Sequence, residues 1–284
     1  MSNRVKIIPA LLIVSMFQGC VLFHMNRASL KKSFTVLHVP ESSLSVSSRN
    51  GSIEVIADPD LDVVVIDATF TCGGATMFEA EERVSDATLI IERTTSRTLT
   101  IRPEFPGGPR NGDGARIVVH LPDADGVEIS TGNGRVVVLG LAGPLLIETS
   151  NGRVRVEDHS GEAQIQTSNG RVTILRHGGP VEARTSNGKI ILSLTNDVSE
   201  PFFLRSSNGS ITVTVGSSFN GRVSFDTSNG RVRVRGDDDR ITRERLRKRS
   251  GYVVVGNDDG RESVIDTSNG SITFKIADSS QSRN

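Results

Sequence analysis

The residues of this 284-residue chain that could carry chemistry are few. Among its five histidines, only His159 and His177 are related, because they occupy equivalent positions in consecutive copies of a sequence repeat. Two imidazoles can bind a metal ion, but no cysteine or carboxylate recurs at that position to complete the tetrahedral set of a zinc site. We therefore predict that both side chains face solvent at a turn and that the chain has no metal site.

Carboxylates cluster at two places, Asp237–Asp239 and Asp258–Asp259, within one long irregular segment. Because hard cations prefer several oxygen ligands, the clusters could hold Ca²⁺ if the segment folds back, whereas the plainer interpretation is solvated turn residues. The sequence shows no recognisable Ser-His-Asp or Cys-His arrangement, and no phosphate-binding loop precedes a predicted helix. The sequence predicts no catalytic residue, no cofactor and no enzymatic activity; a polysaccharide lyase or hydrolase is the least favoured alternative.

The two cysteines stand in different contexts. Residues 1–20 have the layout of an export signal, with a basic start, an apolar stretch and a glycine directly before Cys20. This resembles a bacterial lipoprotein signal, in which cleavage leaves Cys20 as a lipidated N-terminus. An uncleaved N-terminal transmembrane anchor or an ordinary signal is the alternative, because apolar residues continue to Met25. Cys72 is left without a partner and is predicted to be a buried, inert thiol.

Exposed positive charge is predicted at two places. The first is a stripe in which one basic residue occupies the same outward position on four successive repeats: Arg135, Arg153, Arg171 and Lys189. Neighbouring like charges ~4.8 Å apart repel by only ~1 kcal/mol in water, so such a row is tolerable. The stripe could bind an anionic ligand such as an acidic polysaccharide or a lipid headgroup, or it could serve solubility and discourage lateral sheet pairing.

The second place is a basic run in the irregular segment: Arg240, Arg243, Arg245, Arg247, Lys248 and Arg249. It could contact phosphate-bearing envelope polymers or form a mobile solvated loop, and the sequence does not separate these. The whole chain carries 33 basic and 33 acidic residues, so its formal net charge is zero. No global field attracts nucleic acid, and we predict no nucleic-acid partner.

A sequence repeat indicates which elements hold these residues. The segment Thr-Ser-Asn-Gly begins at Thr149, Thr167, Thr185, Thr227 and Thr267, and a near copy begins at Ser206. The early copies are 18 residues apart, and the spacing lengthens to 21 before the irregular segment. A fixed period of this length indicates one structural unit stacked on itself.

Each repeat divides into two halves with apolar residues at alternate positions, which is the pattern of short strands with one buried face. In one copy these residues are Val154, Val156, Ala163 and Ile165. Two all-β folds fit: a meander of hairpins that turn at Asn-Gly, or a β-solenoid with about 18–21 residues per coil. A meander needs a cover for its apolar face, whereas the two inner faces of a solenoid cover each other. We therefore favour the solenoid.

In a solenoid the repeat residues form rows along the stack. The asparagines are expected to form a ladder in which each amide donates to a neighbouring coil: Asn133, Asn151, Asn169, Asn187, Asn208, Asn229 and Asn269. The following glycine, as at Gly152, is expected to supply the positive φ of a tight corner. The threonine, as at Thr149, is expected to face inward. The motif is therefore interpreted as scaffold.

These patterns predict a domain organisation with one short capping helix at Met77–Val84 over the open N-terminal end of the stack. The segments are a lipoprotein-type signal peptide at 1–20, a tether at 21–40, a β-solenoid domain at 41–277 and a disordered tail at 278–284. Within the solenoid, 41–125 is a looser part and 126–277 is the regular part, with an excursion at 236–259.

The stretch Ile129-Ser-Thr-Gly-Asn-Gly-Arg-Val136, followed by the Thr-Ser-Asn-Gly segments, is similar to the bacterial DUF4097 family of putative adhesins or β-strand repeat proteins. The similarity covers about residues 35–277 and includes the early Asn50–Val55 and the late Asp266–Phe274. It implies a right-handed β-helix-like stack and an envelope or extracellular setting. It carries no established catalytic residues.

Together these expectations describe a lipid-anchored, non-enzymatic protein of the bacterial cell envelope, on the outer membrane or facing the periplasm. Its solenoid surface would serve adhesion or binding. Its partners would be the membrane, through the lipid, and an envelope polysaccharide or another envelope protein. A purely structural spacer or scaffold in the envelope is the alternative function.

Overall fold

The computed structural model describes residues 3–4, 8–9, 26–94, 97–195, 198–236, 238–258 and 260–277. Cys20, the predicted lipidation site, and the predicted tail at 278–284 lie outside these residues. The chain divides into two units, Met1–Leu141 and Ala142–Asn284, which we call unit 1 and unit 2. The sequence had indicated one solenoid domain across this division.

Unit 1 is built from strands and one helix, α1 (Met77–Asp86). Its strands are β1 (Asn3–Arg4), β2 (Ile8–Pro9), β3 (Asn26–Leu37), β4 (Leu44–Asn50), β5 (Ile53–Ala57), β6 (Val63–Gly74), β7 (Thr88–Arg93), β8 (Leu99–Glu104), β9 (Gly114–Leu121), β10 (Val127–Asn133) and β11 (Val136–Leu139).

The strands of unit 1 form two sheets, in the orders β1-β7-β8-β4-β10 and β2-β3-β6-β9-β5-β11. The coil β4–β5 pairs in parallel with β8 and β9 on one side and with β10 and β11 on the other. Its inward residues, such as Val46 and Val55, are fully buried. The first coil in the sequence therefore lies in the middle of the stack.

The predicted tether at 21–40 is wrong for residues 26–37, which form the long strand β3. This strand pairs antiparallel with β6 along its whole length, from Asn26 opposite Gly74 to Leu37 opposite Val63. Its basic residues, which suggested a tether, have structural partners. Lys31 forms an ion pair with Asp67 at 2.8 Å, and Lys32 donates to the carbonyl oxygens of Ser85 and Ala87 at 2.7 and 2.6 Å.

Helix α1 packs against β3 and β6 in unit 1. A reciprocal pair of hydrogen bonds, of the capping-box type, caps its N-terminus. Thr76 Oγ1 accepts from the Glu79 backbone N–H, and Glu79 Oε2 accepts from the Ala75 N–H. At the C-terminal end of α1, Lys32 donates hydrogen bonds to the carbonyl oxygens of Ser85 and Ala87. In the described part of the chain, no helix is long and apolar enough to cross a membrane.

Unit 2 consists of strands and one 3₁₀ turn, Asp238–Arg240, in its described residues. Its strands are β12 (Leu145–Thr149), β13 (Val154–Glu157), β14 (Ala163–Thr167), β15 (Val172–His177), β16 (Val181–Thr185), β17 (Ile190–Leu194), β18 (Phe202–Ser206), β19 (Ile211–Val215), β20 (Gly221–Thr227), β21 (Val232–Arg235), β22 (Ile241–Leu246), β23 (Ser250–Val255), β24 (Glu262–Thr267) and β25 (Ile272–Ile276).

Each coil of unit 2 gives one strand to each of two sheets, in the orders β12-β14-β16-β18-β24-β20-β23-β22 and β13-β15-β17-β19-β25-β21. Successive coils pair in parallel, and from β12 to β16 the register is unbroken, so that Ile147, Ile165 and Ala183 are aligned. Their side chains are buried between the sheets. These parallel stacks confirm the predicted all-β, solenoid-like fold.

Two features of unit 2 depart from a stack in chain order. The last coil, β24–β25, lies between the coil β18–β19 and the coil β20–β21. The excursion at 236–259 contains an ordered hairpin, because β22 pairs antiparallel with β23 and β23 pairs antiparallel with β20. The hairpin thus extends the first sheet by two strands.

Four buried phenylalanines fill the wider coils of unit 2. Phe219, which follows a three-residue insertion, lies 6.0 Å from Phe202 and 6.5 Å from Phe274, measured between ring centroids. Phe225 lies 5.7 Å from Phe274. The residue that follows the insertion therefore belongs to a buried aromatic cluster of unit 2.

Candidate functional site

The Thr-Ser-Asn-Gly corner is built from the inside outward. Its threonine is buried. The hydroxyl donates to the carbonyl oxygen of the glycine on the adjacent coil at Thr167, Thr185, Thr227 and Thr267. Thr185 reaches Gly170 at 3.2 Å, and Thr267 reaches Gly209 at 2.8 Å. The serine and asparagine that follow are exposed, as at Ser186. Hydrogen bonds therefore join the inner side of the corner to the adjacent coil, and the outer side presents polar side chains to solvent.

The asparagine side chains are joined by hydrogen bonds in one direction. In unit 1, Asn133 Nδ2 donates to Asn50 Oδ1 at 2.8 Å. In unit 2 five such bonds have lengths of 2.7 to 2.8 Å, and their donors in stack order are Asn169, Asn187, Asn208, Asn269 and Asn229. Each donates to the asparagine on the previous coil of the stack, beginning at Asn151. These side chains are held as scaffold, as the ladder hypothesis requires.

The positive φ expected for Gly152 and its equivalents is wrong in unit 2, since Gly152, Gly170 and Gly188 do not have it. In unit 1, Gly51 of the early Asn-Gly copy does have a positive φ, of 126°. A Cβ on Gly188 would lie 1.8 Å from the carbonyl oxygen of Gly170, and a Cβ on Gly170 would lie 1.7 Å from that of Gly152. Glycine is required because the backbones of successive coils touch at this corner, not because the corner turns left-handed.

The residue after the glycine forms the outward cationic stripe of unit 2. Backbone hydrogen bonds fix its order: the N–H of Val154 donates to the Arg171 carbonyl, and the N–H of Val172 donates to that of Lys189. Continued through the later coils, the stack order of this position is Arg153, Arg171, Lys189, Ser210, Ser271, Arg231 and Lys248. The stripe is therefore interrupted by two serines and resumes on the last two layers.

Unit 1 has the same outward row in a shorter form. The Ile53 N–H donates to the Arg135 carbonyl, and the Ile117 N–H donates to the Ser52 carbonyl. The row order is thus Arg116, Ser52 and Arg135. Arg116 forms an ion pair with Glu54 at 3.0 Å, whereas Arg135 is exposed and makes no ion pair with a described residue.

The row cations Arg153, Arg171 and Lys189 differ in their electrostatic surroundings from three arginines on the neighbouring strand faces. On the strand faces, Arg155 pairs with Glu157, Arg184 with Glu182 at 2.5 Å, and Arg205 with Asp266 at 3.4 Å. Within the described residues, no carboxylate lies within ion-pair distance of the row cations Arg153, Arg171 and Lys189. These three side chains are exposed. The row therefore presents uncompensated positive charge.

The basic run lies on the β22–β23 hairpin and its turn. Arg240 is partly buried and donates to the Phe219 carbonyl oxygen at 2.8 Å, which anchors the base of the hairpin. The other members are exposed: Arg243, Arg245, Arg247, Lys248 and Arg249. The turn also supplies the last residue of the outward cationic stripe, Lys248, because the Val232 N–H donates to the Lys248 carbonyl at 3.0 Å. The hairpin is thus ordered rather than a mobile loop.

The histidine pair is buried, so the prediction of solvent-facing side chains is wrong. His159 and His177 are 2% and 0% exposed, and their rings stack with centroids 5.2 Å apart. Their Nδ1 atoms are 3.4 Å apart. Burial, and then the neighbouring His177, lowers the pKa of His159 to about 4, and burial also lowers the pKa of His177. Both rings are therefore neutral packing groups near pH 7.

The acidic clusters are only partly described. Asp237 and Asp259 lie outside the described residues. Asp258 lies 3.8 Å from Arg222, which also stacks on the Tyr252 ring. No group of three potential metal ligands occurs among the described residues. The calcium hypothesis therefore stays an untested prediction.

Two polar features of unit 1 escaped the sequence reasoning. The first is a buried ion pair between Arg83 on α1 and Asp113, at 2.7 Å. Burial acts to raise the pKa of Asp113, but hydrogen bonds from Arg83, Arg110 and Gly73 outweigh it, and the pKa lies below its ordinary value. The nearby Cys72 is buried, as predicted, and burial raises its pKa to about 11. This thiol is unreactive near pH 7.

The second feature is an open recess of about 510 Å³. Its walls include Arg27 on β3, Thr69 and Thr71 on β6 and Arg116 on β9. These residues are far apart in the sequence, and no motif links them. Only the antiparallel pairing of β3, β6 and β9 brings them together.

Comparisons with known proteins found similarity in solved structures only. No family model matches the chain, and no curated protein matches it. It is similar to a putative cell adhesion protein from Clostridium sporogenes (12% identity, 87% of this chain and 100% of that chain covered, TM-score 0.38). Putative adhesins from Bacteroides fragilis and Parabacteroides merdae share 13% and 11% identity, with TM-scores of 0.40 and 0.33. The alignments cover 88% and 87% of this chain and 97% and 96% of those chains.

Proposed function

We propose that this chain is a non-enzymatic cell-envelope protein of the adhesin type, which binds an acidic polymer along the cationic corner row of unit 2. The observation that carries the proposal is the contrast between its arginines. Three arginines on the neighbouring strand faces, Arg155, Arg184 and Arg205, pair with carboxylates. The row cations Arg153, Arg171 and Lys189 are exposed and have no such partner among the described residues. A row kept free of acidic neighbours is suited to bind negative charge supplied from outside.

The geometry of the corner favours an extended ligand. On its first three coils, the outer surface of unit 2 repeats serine, asparagine, glycine and a cation, with a rise of ~4.8 Å between parallel strands. Glycine leaves the strip free of side chains between the asparagine and the cation. A polyanion lying along the stack would meet one cation per coil at Arg153, Arg171 and Lys189, with serine hydroxyls beside it.

The exposed cations of the hairpin are proposed as a second contact for phosphate-bearing polymers. Arg243, Arg245 and Lys248 lie on its outer strand and turn. Arg240 is excluded from this surface because it is bonded to the Phe219 carbonyl. We also propose that a lipid at Cys20 anchors the chain. The resemblance of the repeat to an adhesin-type family supports an envelope setting. Another envelope protein with an acidic surface is the alternative partner.

The first experiment measures binding of the full chain to polygalacturonate, to a poly(glycerol phosphate) and to neutral dextran. In the test variant, Arg153, Arg171 and Lys189 are each replaced by serine, the residue that Ser210 and Ser271 already place in the same row. If each contact contributes ~1 kcal/mol, affinity for the acidic polymer should fall roughly 100-fold. Added salt should weaken wild-type binding more steeply than binding of the variant.

The matched control removes the same charge elsewhere. Arg155, Arg184 and Arg205 are replaced by serine, which also lowers the net charge by three but leaves the row intact. This control should keep affinity within a few-fold of wild type. Equal losses in both variants would show that net charge alone attracts the polymer. Absence of binding to either acidic polymer would remove the proposal and favour a structural spacer.

A further inference from the structure

The last coil of the chain is inserted between two coils that precede it. Strand β24 pairs with β18 on one side and with β20 on the other, and β25 pairs with β19 and β21. Ile265 is aligned with Leu204 and Phe225, and Phe274 is aligned with Val213 and Val234. Residues 262–276 are therefore central in the sheets although they are near the end of the sequence.

This insertion makes the last coil the connection between two parts of unit 2. In the described residues, strand pairing joins the segment β20–β23 to the earlier coils only through β24 and β25. The segment β20–β23 would face an open gap if residues 262–276 left. We call this gap, between the coil β18–β19 and the coil β20–β21, the acceptor slot.

Both walls of the acceptor slot recognise the same repeat motif. On one wall, Asn269 Nδ2 donates to Asn208 Oδ1 at 2.7 Å, and Thr267 Oγ1 donates to the Gly209 carbonyl at 2.8 Å. On the other wall, Asn229 Nδ2 donates to Asn269 Oδ1, and Thr227 Oγ1 donates to the Gly270 carbonyl, both at 2.8 Å. The slot therefore requires a Thr-Ser-Asn-Gly coil as its occupant.

The coil is also fully packed inside the slot. Ile265, Ile272 and Phe274 are 0% exposed. An occupant must match the hydrogen bonds of the corner and the apolar residues of both strands at once. A second copy of this chain meets both requirements by identity.

The connection to the last coil links β23, which pairs with one side of β20, to β24, which pairs with its other side. Among its described residues, Asn257, Gly260 and Arg261 are exposed. Polar contacts hold it at both ends: the Gly256 N–H donates to the Arg240 carbonyl at 2.8 Å, and Arg261 forms an ion pair with Glu200 at 3.3 Å. Exchange requires these contacts to open and to form again. Strands β24 and β25 are the last that the structure describes, so no later described strand has to move with them.

We propose that the acceptor slot is an exchange site for a second copy of this chain. Residues 262–276 of each copy fill the slot of the other, and the two copies form a closed, two-fold swapped dimer. Every contact that the coil makes within its own chain is available in the other copy, so exchange costs mainly the entropy of association. The proposal does not depend on the polymer-binding function.

The test uses two full-length copies with different tags, both with Cys20 and Cys72 replaced by serine. One copy carries Ser224→Cys on β20 and the other carries Val264→Cys on β24. These positions are register partners on adjacent parallel strands, whose spacing suits a disulfide. The copies are unfolded together, refolded as a mixture and oxidised. Exchange should give a covalent heterodimer, on the order of tenfold above random collision, because it holds the two thiols side by side.

Two controls decide the outcome. A single chain with both substitutions should form this disulfide within the chain in a monomer and between the chains in a swapped dimer. Formation of neither bond would overturn the coil order on which exchange depends. A mixture of the Ser224→Cys copy with a Thr173→Cys copy measures random collision, because Thr173 lies on β15, away from the slot. A heterodimer yield no higher than in this mixture would overturn the proposal. Polymer binding enters neither readout.

Discussion

The stacked imidazoles of His159 and His177 are neutral groups in a buried corner of unit 2. The row that contains them continues with an apolar residue, because His177 is the register partner of Leu194. An ordinary histidine has a pKa of 6.5, whereas burial and His177 lower the pKa of His159 to about 4. Between these values the unfolded chain binds a proton that the folded chain excludes. The stability that neutral His159 contributes is therefore fully present above about pH 6.5 and is lost as the pH falls toward 4.

Replacing both histidines by leucine should remove this acid sensitivity. Leucine already occupies the row at Leu194, so the corner can accept it. At pH 5, wild type should lose roughly 2 kcal/mol of unfolding free energy through His159 alone, relative to pH 7.5, and the variant should lose less. Urea unfolding at the two pH values measures the difference. Equal losses in both proteins would show that other groups cause the acid sensitivity.

At the scale of the elements, each coil contacts the next through glycine backbones. Repeat glycines such as Gly188 lie directly against the carbonyl oxygen of the glycine on the neighbouring coil. The same corner carries the threonine hydroxyl bonds and the asparagine ladder. Separating two coils there would therefore lengthen three sets of contacts together.

Gly188→Ala should strongly destabilise unit 2, and Gly178→Ala should not. The Cβ at position 188 would lie 1.8 Å from the Gly170 oxygen, so the coils must move apart at a cost of at least roughly 1–3 kcal/mol. At position 178 the nearest atom would be 3.7 Å away, and φ is not positive. Alanine there should be neutral or stabilising by ~0.4–1 kcal/mol. Thermal unfolding of the two variants compares them; equal midpoints would contradict close coil contact.

The sequence predicted the strands of the repeat well. It predicted poorly the strand at 26–37 and the burial of polar residues within the repeat. Alternating apolar residues identified strands such as Val154–Glu157, and the repeat spacing aligned their rows. It did not reveal that residues 26–37 form a strand, since the lysines among them have partners on β6 and after α1 that are distant in sequence. It also misplaced His159, because a polar residue at an apolar row position is recognisable only once the row is known.

At the scale of the whole molecule, chain order and stack order differ in each unit. In unit 1 the first coil, β4–β5, lies between later coils, and in unit 2 the last coil lies between earlier ones. The Thr-Ser-Asn-Gly corners of unit 2 offer one another the same hydrogen bonds, and the near copy at Ser206 makes the equivalent bond to Gly188. The repeat pattern alone therefore does not fix the order of stacking. The sequence could therefore predict the type of coil contact but not which coils are neighbours.

The proposed envelope anchoring also belongs to the whole molecule. If Cys20 is lipidated, the mature chain should begin at this residue, carry acyl groups and fractionate with membranes. Intact-mass measurement of the purified mature protein determines both its first residue and any added lipid mass. Cys20→Ser should move the chain to the soluble fraction with its fold unchanged. A wild-type chain that retains residues 1–19, with no added lipid mass, would instead favour an uncleaved anchor.

The asparagine ladder of unit 2 has an electrical consequence. All five bonds point the same way, from Asn229 through Asn269, Asn208, Asn187 and Asn169 to Asn151. The side-chain amide dipoles therefore add and polarise one another, as peptide dipoles do in a helix. The oxygen end, at Asn229, carries the partial negative charge. Arg231 and Lys248, which resume the outward row, lie in the layers at this end, so the polarity of the scaffold favours cations there.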